Sequence, residues 1–256
     1  MPIAVAPDGS RLAFEVDGHG DPLLLVSGQG YDRHMWDRVL ADFTSRFTVI
    51  TFDHRGTGES DTPETPPYST RGFARDAVAV LDAAGVNRAH VYGHSMGGRV
   101  AQWLGIDHPE RVGALVLGAT TPGKAHGAPR DPEAELILRT ADMKRLEPLM
   151  ASPEYLALQP NAFHRRPLLP HAQRLHFRAS DEHDAWDHLP AIAAPTLVIH
   201  GTDDRLNPTA NAALLASRIP HATVALVAGG RHFFFEEQRL DASRLVCEFL
   251  DRHPLR

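Results

Sequence analysis

Six consecutive residues, Gly93-His94-Ser95-Met96-Gly97-Gly98, hold the clearest chemical signal in the chain. They follow an apolar stretch, residues 89–92, that reads as a strand, and they precede residues 99–108, which read as a helix. A serine flanked by glycines two residues either side, between a strand and a helix, must sit on a sharp turn that projects its hydroxyl into the open. The glycines are needed because neighbouring backbone and helix pass too close for a Cβ. The same turn places the Met96 N–H where it can donate to an oxyanion. Ser95 is therefore a candidate nucleophile, and such a serine needs a base and an acid that orients the base.

Both residue types come later. Residues 194–200 are a compact apolar run with a proline near its start, read as a buried parallel strand. The run ends in Gly201-Thr202-Asp203-Asp204-Arg205-Leu206-Asn207-Pro208, and an aspartate just past a strand's carboxyl end is well placed to orient a histidine. Residues 223–227 read as a further strand and lead into Ala228-Gly229-Gly230-Arg231-His232-Phe233. The glycine pair lets that loop curl back towards the sheet edge. The order serine, aspartate, histidine belongs to one hydrolase fold and differs from that of the two best-known protease folds.

The elements that must position these groups alternate in type. Strands are expected at residues 12–16, 23–27, 48–52, 91–93, 112–117, 196–200 and 223–227, with helices between them. Phe73, Ala77, Val80, Leu81 and Ala84 share one helical face behind a cap at Ser69 or Thr70. Short apolar strands spaced by helices imply an α/β fold with a mostly parallel central sheet flanked by helices. The alternation breaks between about residues 121 and 189, where prolines and glycines precede short helical stretches around residues 134–144, 145–150, 152–158 and 170–179.

With these motifs in place, the chain resembles the α/β-hydrolase superfamily over nearly its whole length. Asp53-His54-Arg55-Gly56-Thr57-Gly58-Glu59-Ser60 is similar to the family's turn after the fourth strand, and His108-Pro109-Glu110-Arg111-Val112 to its lead into the sixth. The resemblance implies a catalytic triad of Ser95, Asp204 and His232, since the spacing from Gly201 to Pro208 matches the family's acid loop at Asp204. It implies an oxyanion hole from the Met96 and Gln29 backbone N–H groups, although Ser27 stands where relatives often carry histidine. It also implies an α/β-hydrolase core of residues 1–120 and 190–256, with residues 121–189 as a small helical cap inserted after the sixth strand.

Met35-Trp36-Asp37, Tyr68-Ser69 and Gly97-Gly98-x-x-x-Gln102-Trp103-Leu104 resemble lactonases and carboxylesterases of the 3-oxoadipate enol-lactonase type. The function implied is hydrolysis of a carboxylic ester or lactone of a small molecule through an acyl-enzyme. A carbon–carbon bond hydrolase or elimination enzyme, a cofactor-free perhydrolase, and a receptor or idle scaffold are the alternatives. Gly28, Trp36, Arg99 and Phe233 are candidates to contact substrate. Trp36 could wall the pocket or fasten its helix to the sheet. Gln29 could offer its amide to the pocket or face solvent. Arg99 could meet a substrate carboxylate or pair with an acid on the surface, and the sequence favours the surface pair. His94 reads as packing and Arg55 as a structural hydrogen-bonder.

Composition limits the remaining classes. A chain of 256 residues with 43% hydrophobic and 23% charged residues is ordinary for one soluble domain. The formal net charge of −6 and the lack of a basic stripe argue against a nucleic-acid partner. No signal-peptide pattern and no long apolar run is present, so a cytoplasmic location without a membrane partner is expected. A homo-oligomer is compatible with the sequence. Cys247 is the sole cysteine, which excludes an intrachain disulfide, and its apolar neighbours place it in the core. Histidine is frequent at 16, but no ligand spacing marks a metal site, and neither metal nor cofactor is expected. His164, His171, His176, His183 and His188 read as surface or pocket hydrogen-bonders.

Overall fold

The apolar runs assemble into an eight-stranded sheet in the computed structural model, which describes residues 1–65, 68–140, 142–160, 162–163 and 166–255, with Met143 as backbone alone. The chain runs through β1 (Ile3–Val5), β2 (Arg11–Gly18), β3 (Asp21–Val26), α1 (Leu40–Thr44), β4 (Phe47–Phe52), α2 (Thr70–Ala83) and β5 (Ala89–His94). It continues through α3 (Met96–Asp107), β6 (Val112–Gly118), α4 (Pro132–Thr140), α5 (Met143–Met150), α6 (Pro153–Leu158) and α7 (Pro170–Asp181). It closes with β7 (Thr196–Gly201), α8 (Ala210–Arg218), β8 (Ala222–Val227), α9 (Phe234–Glu237) and α10 (Arg239–Asp251). The strand order is β1-β2-β4-β3-β5-β6-β7-β8. The two pairings of β2 are antiparallel and the rest are parallel. This is the α/β-hydrolase arrangement expected from sequence, with β1 as an added antiparallel edge.

Both faces of the sheet are covered, so its central strands are apolar throughout rather than alternating. On β5, Val91 joins Leu24, Leu115, Ala77, Val80 and Val100 on the α2–α3 side. Its neighbour Tyr92 joins Trp36, Phe43, Phe235 and Phe249 on the other. α2 forms where expected, since Ser69 is extended and its hydroxyl accepts from the Gly72 N–H at 2.9 Å, satisfying one of the orphan donors of the first turn. Cys247 is buried, and burial pushes its thiol up to about 11. Among the described residues no helix is long and apolar enough to cross a membrane.

Helices α4 to α7 occupy the stretch between β6 and β7. Their buried residues Ala134, Ile137, Leu146, Leu149 and Met150 join the core cluster on the Trp36 side. The insertion is thus packed on the sheet's carboxyl end.

Buried charges hold the loops that leave that end. Arg55 is only 2% exposed. Its Nε and Nη2 donate to both oxygens of Asp76 on α2 at 2.7 and 2.6 Å, and its Nη1 to Asp8 at 2.6 Å. This is the structural role expected for Arg55. Asp53 accepts from the Arg33 N–H at 2.8 Å and pairs with the Arg33 guanidinium at 2.6 Å. Glu236 on α9 is less well answered. Its Oε1 meets the half-exposed Arg38 at 3.0 Å, its Oε2 has no hydrogen-bond partner among the described residues, and burial pushes its carboxyl up to about 7 from 4.5 despite Arg38.

A carboxyl with a raised folded pKa withholds stability as it ionises in the unfolded chain first. The wild-type fold should therefore lose on the order of 2–3 kcal/mol from this one group between about pH 4.5 and pH 7. Glu236→Gln removes that dependence. In paired denaturant titrations, the wild-type minus variant stability difference should fall as pH rises across this window. A difference that stays flat would show that Glu236 is solvated.

Candidate active site

The turn between β5 and α3 carries Ser95 at φ 57° and ψ −115°, a conformation that L residues rarely adopt. Packing enforces it. A Cβ on Gly97 would stand 2.0 Å from the Val26 carbonyl oxygen, and one on Gly93 2.2 Å from that of Gly97. The turn is tied from below as well, since the Ser95 N–H donates to the Gly118 carbonyl at 2.8 Å and the Thr120 hydroxyl to the Ser95 carbonyl at 2.7 Å.

The structure brings the three predicted residues into one hydrogen-bonded chain. His232 Nε2 lies 3.0 Å from Ser95 Oγ, and His232 Nδ1 lies 2.8 Å from Asp204 Oδ2. Asp203 is exposed, so the choice between the two aspartates falls on Asp204. Asp204 Oδ1 accepts from the Leu206 and Asn207 N–H groups at 2.9 Å each. Burial alone would raise the Asp204 carboxyl, but the His232 and His200 imidazoles hold it well below the usual carboxylate range. An ionised Asp204 fixes the Nδ1–H tautomer of His232, leaving Nε2 to accept a proton from Ser95.

Neighbouring loops complete the pocket floor. Gly28 and Gln29 follow β3 and lie beside Ser95, with the Gly28 position 3.5 Å from Ser95 Cβ for an added methyl. The loop is anchored by the Ser27 hydroxyl donating to the Asp32 carbonyl at 3.0 Å and by His54 Nε2 donating to the Ser27 carbonyl at 3.1 Å. The Met96 N–H opens α3, where the first turn leaves such donors without intrahelical acceptors. His94 is buried against the rings of His232, Phe233 and Phe235, so it packs behind the site as expected, and burial pushes its pKa well down.

A cavity of about 400 Å³ opens above Ser95. Gly28, Gln29, Phe233 and Arg99 line it, while Leu146, Met150, Leu168 and Phe177 bring the insertion's apolar side chains to it. Gln29 is half-buried there rather than turned to solvent.

Three expectations need correction. Trp36 does not reach the cavity; it is fully buried, with Tyr92 and Phe235 rings at 5.0 and 5.1 Å, so it fastens its short 3₁₀ turn (Arg33–Trp36) to the sheet. Arg99 is not on the surface paired with an acid. It is buried because Ser180 at the end of α7 covers it, and its Nη1 donates to the Ser180 carbonyl and hydroxyl at 2.6 Å each. His183 is also internal, bonded to Thr70 at 2.9 Å and Gln102 at 3.2 Å. His176 is buried against Phe73, its Nε2 donating to the Arg55 carbonyl at 2.8 Å. His164 lies outside the described residues. Among the described residues no group of three histidine, cysteine or acidic side chains could hold a metal ion.

Sequence reasoning missed His200 and Asn207. His200 Nε2 donates to the Asn207 carbonyl at 2.7 Å and stands 3.5 Å from Asp204. The Asn207 side chain donates to the Ala119 carbonyl at 2.6 Å, pinning the acid loop to the end of β6. The available signal was their placement around Asp204, four residues before it at the end of β7 and three after it in the loop.

Comparison with known proteins agrees with this fold. The profile of the family described as alpha/beta hydrolase fold matches residues 21–148 and 134–238. A putative carbamate hydrolase RutD of Azorhizobium caulinodans is 33% identical over 247 residues, 91% of this chain and 92% of that protein. The structure of the enol-lactonase from Burkholderia xenovorans LB400 superposes with a TM-score of 0.85 at 25% identity, covering 98% of this chain and all of that one. Est816, described as an N-acyl homoserine lactone degrading enzyme, gives a TM-score of 0.81 at 31% identity over 96% of this chain and 99% of its own.

The close approach at Gly97 separates two substitutions. Gly97→Ala should cost several kcal/mol or prevent folding, because the new methyl meets backbone that cannot yield. Gly28→Ala meets only ordinary contacts and should change stability by less than about 1 kcal/mol. Thermal unfolding of the two variants checks this, and equal melting temperatures would contradict the packing argument.

Proposed function

The chain belongs to the α/β-hydrolase fold family and is a hydrolase, and we propose that it cleaves a carboxylic ester or lactone of a small molecule through an acyl-enzyme on Ser95. The observation that carries this reading is the unbroken chain from Ser95 Oγ through His232 to Asp204, 3.0 and 2.8 Å per step, at the floor of a cavity of about 400 Å³. In this reading His232 Nε2 takes the hydroxyl proton as Ser95 Oγ attacks the carbonyl carbon. The Met96 and Gln29 backbone N–H groups receive the resulting oxyanion. The tetrahedral intermediate collapses, the C–O bond to the leaving alcohol breaks, and the imidazolium returns its proton to that oxygen. A water then gives its proton to His232 and attacks the acyl carbon, and Ser95 leaves reprotonated. The leaving group of a lactone stays tethered to the acyl part, so one hydroxy acid is released.

The insertion, within residues 121–189, acts as the lid in this reading, because its helices α4, α5 and α7 supply much of the cavity wall. The relationship to carbamate hydrolases at 33% identity supports a second substrate class. A carbamate carbonyl is attacked by the same serine, with carbamoyl rather than acyl transfer to it. Ammonia release from simple carbamates, matched against turnover of esters of equal size, distinguishes the two.

Intact mass after fluorophosphonate treatment tests the nucleophile. One adduct is expected on wild type and none on Ser95→Ala. Asp204→Asn should keep the fold yet lower kcat on short p-nitrophenyl esters by about 10³–10⁴, since the amide no longer enforces the tautomer. An adduct on Ser95→Ala, or undiminished ester turnover in that variant, would remove the assignment.

A further inference from the structure

Among the described residues, the cavity above Ser95 is lined by four arginines, Arg99, Arg130, Arg139 and Arg174, and by no aspartate or glutamate. The chain as a whole carries a formal charge of −6, so this positive charge runs against the overall balance. Arg139 and Arg174 are exposed, and Arg130 is partly answered by Glu135 at 2.6 Å. Arg99 is different. It is 7% exposed, and among the described residues no carboxylate pairs with it. Its Nη1 is held by Ser180, and among the described residues its Nη2 reaches only Asn207 Oδ1, at a long 3.5 Å, while its buried Nε finds no acceptor. The Nε–Nη2 edge, so weakly met, is the one that grips a carboxylate with two parallel bonds.

Asp181 and Glu135 ease the Arg99 charge from a distance, but a buried guanidinium without a hydrogen-bonded carboxylate is costly. Burial and the neighbouring Arg130 charge push its pKa down to about 9, which leaves it cationic at neutral pH. Arg130 converges on the same point, its Nη2 lying 3.1 Å from Asn207 Oδ1. Asn207 in turn donates its backbone N–H to Asp204. The two guanidinium groups therefore flank a side chain whose own backbone contacts the proposed catalytic acid.

We propose that Arg99 and Arg130 form an anion subsite, so that the ester or lactone attacked by Ser95 carries a free carboxylate in its acyl or alcohol part. This rests on the serine hydrolase reading and names the substrate class which that reading leaves open. The apolar wall from Leu146, Met150 and Leu168 takes the carbon skeleton between the carboxylate and the scissile bond.

Two measurements decide it separately. Isothermal titration with glutarate and with dimethyl glutarate reads the subsite without turnover when every titrated protein, native or altered at the arginines, also carries Ser95→Ala, so that the diester is not cleaved. Wild type should bind the diacid about ten- to hundredfold more tightly than the diester, Arg99→Met should abolish that margin, and Arg99→Lys should restore part of it. Arg130→Ala gives an independent reading if Arg99→Met does not fold. Turnover of mono-4-nitrophenyl glutarate against methyl 4-nitrophenyl glutarate then gives a kcat/KM ratio within each protein, so that a general loss cancels. The ratio should exceed about ten in wild type and fall towards one in Arg99→Met and Arg130→Ala, chiefly through KM. A wild type that hydrolyses the methyl ester as well as or better than the acid, and binds glutarate no better than its diester, overturns the subsite and leaves the hydrolase reading standing. No turnover of either ester and no fluorophosphonate adduct overturns the hydrolase reading, while the titration still decides the subsite.

Discussion

The turn at Ser95 is the constraint on which the rest of the structure depends. A non-glycine residue at φ 57° costs on the order of 1–3 kcal/mol, and it persists only where the surroundings leave no alternative. Here β3 and α3 close on each other until Gly97 touches the Val26 carbonyl, and the ends of β5 and β6 are cross-linked through Ser95, Gly118 and Thr120. The parallel sheet makes this possible. Only when β3, β5 and β6 end side by side does a serine on the middle strand face loops from both neighbours. Strain at one residue is thereby offset by packing spread over three strands and a helix.

From that point outward, each polar group is held by another. Asp204 is fixed by two backbone N–H groups, His200 holds the Asn207 carbonyl, and Asn207 reaches back to Ala119 at the end of β6. Ala119 itself sits at φ 44°, a second strained position one strand along. The acid loop is therefore referenced to the same strand that anchors Ser95. The serine and the acid can hold their separation although they lie over a hundred residues apart in sequence. Such preorganisation is what allows fixed dipoles to act on charge as it forms.

How far this was legible depends on whether a residue's role is set locally. Ser95, Asp204 and His232 each sit in a loop whose glycines and flanking strands announce a forced backbone, so type and spacing sufficed. α2 was legible because one face repeats at helical spacing and Ser69 caps it. β1 was not, since three residues paired at an antiparallel edge carry no period. Trp36 and Arg99 were misread or left open for a common reason. Helical spacing says which face a side chain shares, but the partner arrives from elsewhere in the chain: Phe235 for Trp36 and Ser180 for Arg99. His183 was likewise a scattered histidine in sequence and became internal only when α2 and α3 met it.

The insertion has a tighter link to the chemistry than a cover over a hole would have. The carboxyl end of α5 accepts from the His232 loop: Arg231 donates to the Pro148 and Ala151 carbonyls, and the Phe233 N–H to the Met150 carbonyl at 2.8 Å. Met150 also lines the cavity, and Phe233 packs on Tyr31 and Phe163. The same helix that shapes the apolar wall therefore sets the position of the imidazole. The apolar wall and the imidazole therefore share one support, since Met150, which lines the cavity, also receives the Phe233 N–H. At the opposite wall, Ser180 of α7 holds Arg99. One inserted segment thus holds both the His232 loop and Arg99, so the wall of the cavity and two of the polar groups that face it are positioned by the same few helical turns.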